Sequence, residues 1–471
     1  MGIGASNLTS AACNRSNRIP VVGSGRYDVG CADLMIAHGA DGDAGVHARI
    51  FYPTTPAGNG KDATGQKQKI EYPLWVPRRE YLDGLAAYRQ MSPRKLHFLF
   101  DWLVGDRRIS AGWLRPLYSE LPPAPKPSKS TGEIAADSER IPLAHSTSEH
   151  RRISSNSTRG DVTFPVVIFS HGLSGCRHFY SSFCTSLASY GYVIAAIEHR
   201  DRSACYSYSV EVDPDTGNCR EKPIIMRQLG PNEKEFKLRN QQLHKRVSEC
   251  VKTLHVLEEL NLGQCAPADQ KPKGSKIICG PKNFDWSQFK GRLDISKASV
   301  IGHSFGGATA IATSAFSTDF QAAVVLDGWM FPIEMDLYSR ASQPTLFLNA
   351  GNWQWAENVR KMMKLDKSQA ERLMFTYNNV VHQQFSDFGF LLPSFIGRKL
   401  GFQSDTDPMR VAEATVEMTV AFLRRHSEGA SDDGIKETAK RYADFCVQGT
   451  TVDLDHEESV PLNVAQLKSN I

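Results

Sequence analysis

Residues 297–316 read KASVIGHSFGGATAIATSAF, and their pattern is the most informative one in the chain. Its apolar run ASVI is typical of a buried strand, and the small residues in its second half suit a helix. Between them, GHSFG at 302–306 fits the pattern G-x-S-x-G. A serine on a tight strand-to-helix turn needs glycines on both sides, because the backbone is strained and neighbouring segments approach closely. The context therefore favours a nucleophilic Ser304 over an idle serine in a glycine-rich turn.

Short apolar runs alternate with helical patterns on both sides of this motif. Strands are predicted at residues 46–53, 164–172, 192–199, 297–304, 321–329 and 343–351. Helices are predicted at residues 96–113, 178–190, 233–260 and 411–426. This order predicts an α/β fold with a mainly parallel central sheet and helices on both faces. Active sites of such folds form at the carboxyl ends of the strands.

The composition of the chain is that of a globular protein and gives no support for nucleic-acid binding, a zinc site or a disulfide framework. The chain has 471 residues, 41% of them hydrophobic and 23% charged, which is ordinary for a globular protein. Its net charge of +4 is too close to neutral to argue for nucleic acid as a partner. The ten cysteines include no C-x-x-C pair, so no zinc ribbon or other metal site is expected. Buried free thiols are favoured over a disulfide framework.

A serine hydroxyl is a weak nucleophile at neutral pH and needs a base and an orienting acid. In the α/β-hydrolase fold these follow the serine along the chain, first the acid and then the histidine. Three histidines follow Ser304, and His426 and His456 lie in charged segments typical of a solvated surface. His382 follows the strand-like MFTYNNVV and is the predicted base.

Seven acidic residues lie between Ser304 and His382, and among them Asp327 directly ends an apolar strand, AAVVLD. Charged residues are rare directly after four buried ones. We therefore expect Asp327 to orient His382. The alternative is a structural carboxylate whose hydrogen bonds are satisfied locally.

Two N–H donors must stabilise the negative charge of a tetrahedral intermediate. The backbone N–H of Phe305 is the first candidate, and Leu173 in SHGLSG (170–175) is the second. His171 precedes the serine and is interpreted as a residue that orders this loop. The charged run at 198–202 is interpreted as an ion-pair network that shapes a loop, rather than as chemistry.

Four of these segments together resemble a known family. They are residues 169–204, VIGHSFGGAT, VVLDGWMFP and VHQQFSDF, and they are similar to the platelet-activating-factor acetylhydrolases, the group VII phospholipases A2. The resemblance covers about residues 27–425. It implies Ser304, Asp327 and His382 as the triad, and Leu173 and Phe305 as oxyanion donors.

The family resemblance also implies an activity. It implies calcium-independent hydrolysis of the short or oxidised sn-2 acyl group of phospholipids, including the acetyl group of platelet-activating factor, with no cofactor. The sequence contains no Ca²⁺-loop pattern, which agrees with metal independence. The alternatives are a carboxylesterase or lipase acting on other short-chain esters, and a non-catalytic lipid-binding relative. The complete Ser, Asp and His set argues against the last.

The amino-terminal residues fit an acyl-anchor pattern, M-G-x-x-x-[ST], with Gly2 as the myristoyl acceptor. One myristoyl chain binds membranes only marginally, so Cys13 is a candidate for a second, palmitoyl anchor. The alternative is a plain disordered terminus. No secretory signal or transmembrane stretch is recognised, and the start resembles the intracellular type II form. We therefore expect a cytoplasmic protein that associates reversibly with membranes.

Lipid substrates also require a surface at which the enzyme works. Two apolar clusters could dip into a membrane or lipid particle: Phe98 and Trp102 belong to the first, and Leu391, Leu392 and Phe395 to the second. Ordinary core packing is the alternative for both.

The domain organisation follows from these patterns. Residues 1–26 are expected to be flexible, and 27–426 to form a single α/β-hydrolase domain. Residues 119–160 are rich in Pro and Ser and are expected to be an insertion. Residues 427–471 are expected to be a polar tail, in which 433–446 have a helical pattern.

Overall fold

The structure is a computed structural model, and its elements follow the alternation expected from the sequence. It describes residues 17–37, 45–55, 70–119, 162–212, 219–281, 283–365, 370–430 and 433–455. The strands there are β1 Asp28–Ile36, β2 Val46–Thr54, β3 Gly112–Trp113, β4 Phe164–Ser170, β5 Val193–Ile197, β6 Tyr206–Val212, β7 Cys219–Ile225, β8 Ala266–Pro267, β9 Lys276–Cys279, β10 Leu293–His303, β11 Ala322–Leu326, β12 Thr345–Ala350, β13 Arg372–Tyr377 and β14 Cys446–Gln448. The helices are α1 Glu80–Tyr88, α2 Pro93–Leu103, α3 Ser181–Ser189, α4 Glu235–Leu262, α5 Phe305–Phe316, α6 Leu337–Arg340, α7 Ala356–Met362, α8 Ser394–Lys399, α9 Pro408–Glu428 and α10 Asp433–Arg441.

One large sheet organises the described residues. Its strand order is β14-β13-β12-β11-β10-β4-β5-β2-β1-β9-β8, with β3 beside β1. The central strands from β5 through β13 pair in parallel, and β2, β1 and β14 pair antiparallel at the flanks. This is the mainly parallel sheet that the sequence predicts. The strands β6 and β7 form a separate antiparallel hairpin.

Both faces of the sheet are covered by apolar packing. Successive side chains of a strand point to opposite faces of the sheet. A strand buried on both sides therefore contributes side chains to two separate apolar clusters. In β4, Val167 and Phe169 belong to one buried cluster, whereas Val166 and Ile168 belong to the other. The helices pack over these clusters, and α5 contacts both β10 and β11.

The prediction of a helix over residues 96–113 is wrong after Leu103. Helix α2 ends at Leu103, and Gly105 adopts φ +61°, where its N–H donates to the carbonyl oxygen of Phe100 at 2.9 Å. A glycine in this left-handed conformation ends a helix by satisfying its last carbonyls. The chain then turns, and Gly112–Trp113 pairs with β1.

The prediction that residues 1–26 are flexible is also wrong for the described part of this segment, residues 17–26. Ile19 and Val22 are buried. The N–H of Ile19 donates to the carbonyl oxygen of Arg108 at 2.7 Å, and that of Val22 to Ser186 Oγ at 3.0 Å. Residues 1–16, with Gly2 and Cys13, and residues 120–160 of the expected insertion lie outside the described residues.

The segment predicted as a polar tail from residue 427 packs on the domain in its described part, and its helical pattern at 433–446 corresponds to α10. Helix α10 lies on α9, with Ile435 buried. Strand β14 then pairs antiparallel with β13, so that Cys446 faces Tyr377. The expected buried free thiols are confirmed for seven of the described cysteines.

Candidate active site

Ser304 lies at the turn between β10 and α5 and has φ 57° and ψ −118°. This left-handed conformation is strained for a residue with a side chain. The flanking glycines allow it. A Cβ added at Gly302 would lie 1.9 Å from the carbonyl oxygen of Gly306, and one at Gly306 would lie 2.0 Å from that of Ser170. The strand-turn-helix geometry expected for G-x-S-x-G is therefore present, and glycine is required on both sides of Ser304.

Asp327 follows the end of β11, the strand next to β10, and its side chain is fully buried. Its Oδ1 accepts hydrogen bonds from the backbone N–H of Ala350 and from Gln354 Nε2, both at 2.8 Å. Its Oδ2 lies 2.6 Å from His382 Nδ1. The main chain ties the two strand ends together, because the N–H of Ser304 donates to the carbonyl oxygen of Leu326 at 3.0 Å.

His382 begins a short 3₁₀ turn after β13 and is buried. Its ring stacks on Trp353 with centroids 3.9 Å apart and lies 4.3 Å from the ring of His303. In the tautomer that satisfies Asp327, Nδ1–H donates to the carboxylate and Nε2 remains as the basic nitrogen. Ser304 and His382 line the same cavity.

Burial controls the charge of this pair. It raises the pKa of Asp327 to about 7, although the hydrogen bonds from Ala350 and Gln354 lower it. It also lowers the pKa of His382 to about 3. At 2.6 Å the carboxyl and the imidazole titrate as one pair, and burial favours the uncharged form of each side chain.

The predicted oxyanion loop lies directly against the serine. A Cβ added at Gly172 would be 3.1 Å from Ser304 Cβ, and Leu173 lines the cavity. The hydroxyl of Tyr180 accepts a hydrogen bond from the N–H of Gly172 at 3.0 Å. The loop is thus fixed at contact distance from the nucleophile candidate, while Phe305 begins α5 on the other side.

Two further residues link this loop to His382, and sequence reasoning missed both. Tyr180 Oη donates to His303 Nδ1 at 3.0 Å, and His303 Nε2 lies 3.2 Å from the carbonyl oxygen of His382. Burial lowers the pKa of His303, which favours the neutral ring that this relay requires. His303 occupies the variable position before the motif serine, which could have drawn attention to it. Nothing local in the sequence marks Tyr180.

The charged run at 198–202 forms the expected ion-pair network. Glu198 pairs with Arg177 at 2.8 Å, and Asp201 pairs with Arg246 at 3.1 Å. His171 belongs to the same network, since its Nε2 accepts from the backbone N–H of His199 at 3.2 Å. The interpretation of His171 as a loop-ordering residue is confirmed by this contact.

Comparison with known proteins identifies relatives of the chain. A family model described as platelet-activating factor acetylhydrolase, isoform II, matches residues 11–122 and 139–440. The chain belongs to this family. The unmatched residues 123–138 fall inside the segment predicted as an insertion.

Named relatives agree with the family match. The platelet-activating factor acetylhydrolase of dog, Canis lupus familiaris, is 30% identical over 468 residues, covering 98% of this chain and 90% of the dog protein. That of chicken, Gallus gallus, is 29% identical, covering 96% and 94%. A putative phospholipase A2 of Schizosaccharomyces pombe is 29% identical over 57% of this chain and 69% of its own length. Membership of this family makes the chain an enzyme, a carboxylic ester hydrolase of the phospholipase A2 type.

A solved structure supports the fold. A ferulic acid esterase from Streptomyces cinnamoneus matches with a TM-score of 0.51 and 16% identity, covering 92% of this chain and 98% of the esterase. At this identity the likeness concerns the fold alone. The predicted α/β-hydrolase fold is confirmed.

In this family member, Ser304 and His382 open into a mostly apolar cavity. Its walls come from α1, α2 and the loops after β4 and β13. The apolar lining residues are Trp75, Leu82, Leu85, Met91, Leu96, Leu99, Phe100, Leu103, Val104, Leu173, Phe179, Phe388, Leu391, Leu392, Leu400 and Phe402. Such a lining suits alkyl and acyl chains.

An aromatic rim of exposed side chains lies on α2, which lines the cavity, and on α8, between the lining residues Leu392 and Leu400 in the chain. Phe98 and Trp102 on α2 are each 70% exposed, and Phe395 on α8 is 71% exposed. In contrast, Leu391 and Leu392 are 3% and 6% exposed and line the cavity, so their predicted contact with a membrane is wrong in this structure. An apolar run in the sequence does not reveal which of its side chains face inward.

The described residues contain neither a metal-binding cluster nor a membrane-spanning helix. No group of three or more His, Cys, Asp or Glu side chains there could hold a metal ion. Within the same residues, no helix is both long and apolar enough to cross a bilayer.

Proposed function

We propose that the chain removes the short or oxidised sn-2 acyl group of phospholipids, including the acetyl group of platelet-activating factor, through an acyl-enzyme on Ser304. The observation that carries the proposal is the 2.6 Å contact of Asp327 with His382, whose ring shares an apolar cavity with Ser304. A buried acid and base, together with a serine on a strained turn, are the elements that serine ester hydrolysis requires.

The first half-reaction forms the acyl-enzyme. Ser304 Oγ attacks the sn-2 carbonyl carbon while its proton passes to Nε2 of His382. The Asp327 carboxylate stabilises the resulting imidazolium through the Nδ1 hydrogen bond. When the tetrahedral intermediate collapses, the C–O bond to glycerol breaks. The leaving alkoxide takes the proton from His382 and departs as the lyso lipid.

The second half-reaction returns the enzyme to its starting state. Water gives a proton to His382, attacks the acyl carbonyl and displaces Ser304, which recovers that proton. The product leaves as the carboxylic acid and loses its own proton to solvent to become the carboxylate. In both steps the N–H groups of Leu173 and Phe305 stabilise the negative oxygen. Since backbone donors supply this stabilisation, the scheme contains no step that requires Ca²⁺.

The surroundings of the site support a lipid substrate. The apolar cavity can hold the hydrocarbon next to the ester, and the exposed Phe98, Trp102 and Phe395 are close in the chain to residues that line it. Aromatic side chains of this kind bind at the interface of a membrane or lipid particle. We propose that this rim docks the enzyme on such a surface.

We propose that acyl groups on Gly2 and Cys13 anchor the chain reversibly to membranes as a peripheral cytoplasmic enzyme. Myristoylation of Gly2 and palmitoylation of Cys13 would provide the two signals that stable anchoring needs. Intact mass of the chain made in eukaryotic cells, compared with the Gly2→Ala variant, tests the first anchor. An unmodified amino terminus in both would exclude it.

The central experiment follows acetate release from platelet-activating factor, with and without a chelator, together with labelling by a fluorophosphonate probe. We expect wild type to release acetate equally in both conditions and to be labelled, and Ser304→Ala to lose both properties. Ser248→Ala, which changes an exposed serine on α4, is the matched control and should behave as wild type. Labelling that survives Ser304→Ala would point to another nucleophile.

A comparison of substrates separates the proposal from its alternative. Turnover of acetyl, oxidised and long-chain phosphatidylcholines should be measured beside short-chain neutral glycerides. Faster turnover of the glycerides would favour a general carboxylesterase or lipase with the same serine machinery.

A further inference from the structure

We propose that Arg246 is a positioning residue for the oxyanion hole, because it holds both chain segments that donate its two N–H groups. The inference rests on the proposed role of Ser304. It concerns a residue on α4, whose chain neighbours carry no motif of the site.

Arg246 binds the loop that carries Leu173. Its side chain is fully buried, and Nη1 donates to the carbonyl oxygen of His171 at 2.6 Å. Nη2 lies 3.5 Å from the carbonyl oxygen of Gly172. These two carbonyls immediately precede Leu173, so their anchoring determines the direction of the Leu173 N–H.

The same guanidinium also binds the other donor. Its Cζ lies 4.2 Å from the centroid of the Phe305 ring, in a cation–π contact. Phe305 is the first residue of α5, and its backbone N–H is the second oxyanion donor. One side chain therefore bridges the two segments between which the negative oxygen would form.

A second set of contacts fixes Arg246 itself. Its Nε donates to Asp201 Oδ2 at 3.1 Å, and Nη2 donates to Ser203 Oγ at 2.7 Å. The carbonyl oxygen of Ser203 in turn accepts from the N–H of Ser174 at 2.8 Å. Both ends of the oxyanion loop are thus tied to one buried ion pair.

The chemistry of arginine explains this arrangement. A guanidinium is planar, stays charged when buried, and presents a fixed fork of donors beside a face that stacks on an aromatic ring. Lysine offers a compact charge that cannot do both. Because oxyanion donors act only when they point at the developing charge, a small displacement lowers transition-state stabilisation and leaves substrate binding nearly unchanged.

The test is Arg246→Lys, assayed with p-nitrophenyl acetate and with platelet-activating factor. We expect kcat to fall about 100-fold, as for a misplacement of about 1 Å, with KM within about threefold of wild type. A trifluoromethyl ketone, which forms a tetrahedral oxyanion on Ser304, should bind more weakly by the same factor as kcat falls. The corresponding methyl ketone, which stays a ground-state mimic, should bind as before.

The matched control is Arg239→Lys. Arg239 is on the same helix and equally buried, but it hydrogen-bonds Glu235 and Gln242. It should leave kcat and the ketone affinity near wild type. If both variants lower kcat equally, or if Arg246→Lys weakens both ketones alike, the positioning role is overturned.

A second variant covers the case in which Arg246→Lys does not fold. Phe305→Leu keeps the backbone N–H and removes the ring on which the guanidinium stacks, so kcat should fall with KM unchanged. Retention of wild-type kcat in this variant would contradict the inference. A wild-type enzyme that no fluorophosphonate labels at Ser304 would instead contradict the proposed function, so the two failures are distinguishable.

Discussion

Two residues of the site combine a strained backbone with a buried polar role. Ser304 and Asp327 have φ values of 57° and 46°, in the left-handed region that side chains disfavour. Each such conformation costs about 1–3 kcal/mol and persists only where the surroundings enforce it. Here the enforcement comes from adjacent parallel strands, whose main-chain hydrogen bonds hold both residues at neighbouring strand ends.

At this scale the pH dependence of the enzyme can be predicted. Burial raises the pKa of Asp327 to about 7, so the Asp327–His382 pair gains a proton as the pH falls below that value. Since a protonated Asp327 cannot stabilise the imidazolium that would form on His382, kcat/KM should be full above about pH 7 and should decline below it. A profile of kcat/KM against pH for p-nitrophenyl acetate checks this.

Gln354→Leu provides the matched test of the cause. Gln354 donates to the Asp327 carboxylate and lowers its pKa, so the variant should move the acid limb upward by about one pH unit. Gln343→Leu, a buried glutamine that donates to the carbonyl oxygen of Ser317, should leave the limb in place. An unchanged or lower limb in Gln354→Leu would contradict this account of the pair.

Among the helices, α2 and α8 carry the exposed aromatic rim, and both lie next to cavity-lining residues in the chain. On α2, Leu96 and Leu99 contribute to the lining, whereas Phe98 and Trp102 project into solvent. A helix with one apolar face inward and aromatic residues outward can line a cavity with the first face and contact a lipid surface with the second. The exposed residues of this rim are therefore the ones to alter.

Replacing Phe98, Trp102 or Phe395 by glutamate should weaken binding to phosphatidylcholine vesicles by about tenfold or more. Each of these side chains contributes about 1.5–3 kcal/mol to the free energy of binding when it is buried in the lipid. Vesicle sedimentation measures this. Turnover of water-soluble p-nitrophenyl acetate should remain unchanged. Phe316→Glu, at the far end of α5 from Ser304, is the control and should bind vesicles normally. Equal vesicle binding by a folded rim variant would exclude the rim as the docking surface.

At the scale of the whole molecule, the domain includes residues that the sequence assigned to a tail. Phe445 is buried, and its ring lies 5.5 Å from that of Tyr377 on β13. Strand β14, which follows it, extends the sheet beyond β13. The carboxyl-terminal segment thus covers the edge strand nearest to the loop that carries His382.

Phe445→Ala should therefore lower the free energy of unfolding by about 3 kcal/mol, the usual cost of such a truncation in a core. Urea unfolding followed by tryptophan fluorescence measures it. Phe98→Ala removes an exposed ring and should change stability by less than about 0.5 kcal/mol. A similar small change in Phe445→Ala would mean that the segment is not part of the folded core.

Several features of the chain follow from local sequence. The run ASVI and the glycines around Ser304 determine a buried strand, a tight turn and a helix, because strand burial and glycine conformations depend on near neighbours. The parallel order of the sheet follows from the alternation of such runs. The catalytic roles assigned to Ser304, Asp327 and His382 stay predictions, although Asp327 and His382 are in contact as expected.

Other features were decided by tertiary structure alone. Arg246 and His171 are 75 positions apart, and Tyr180 and His303 are 123 apart, yet each pair is hydrogen-bonded. Whether Leu391 faces a membrane or a cavity likewise depends on what packs against it. Local patterns record the preferences of a segment for strand, helix or turn. Contacts between distant segments arise only when the sheet brings its strand ends together, so no short stretch of sequence contains them.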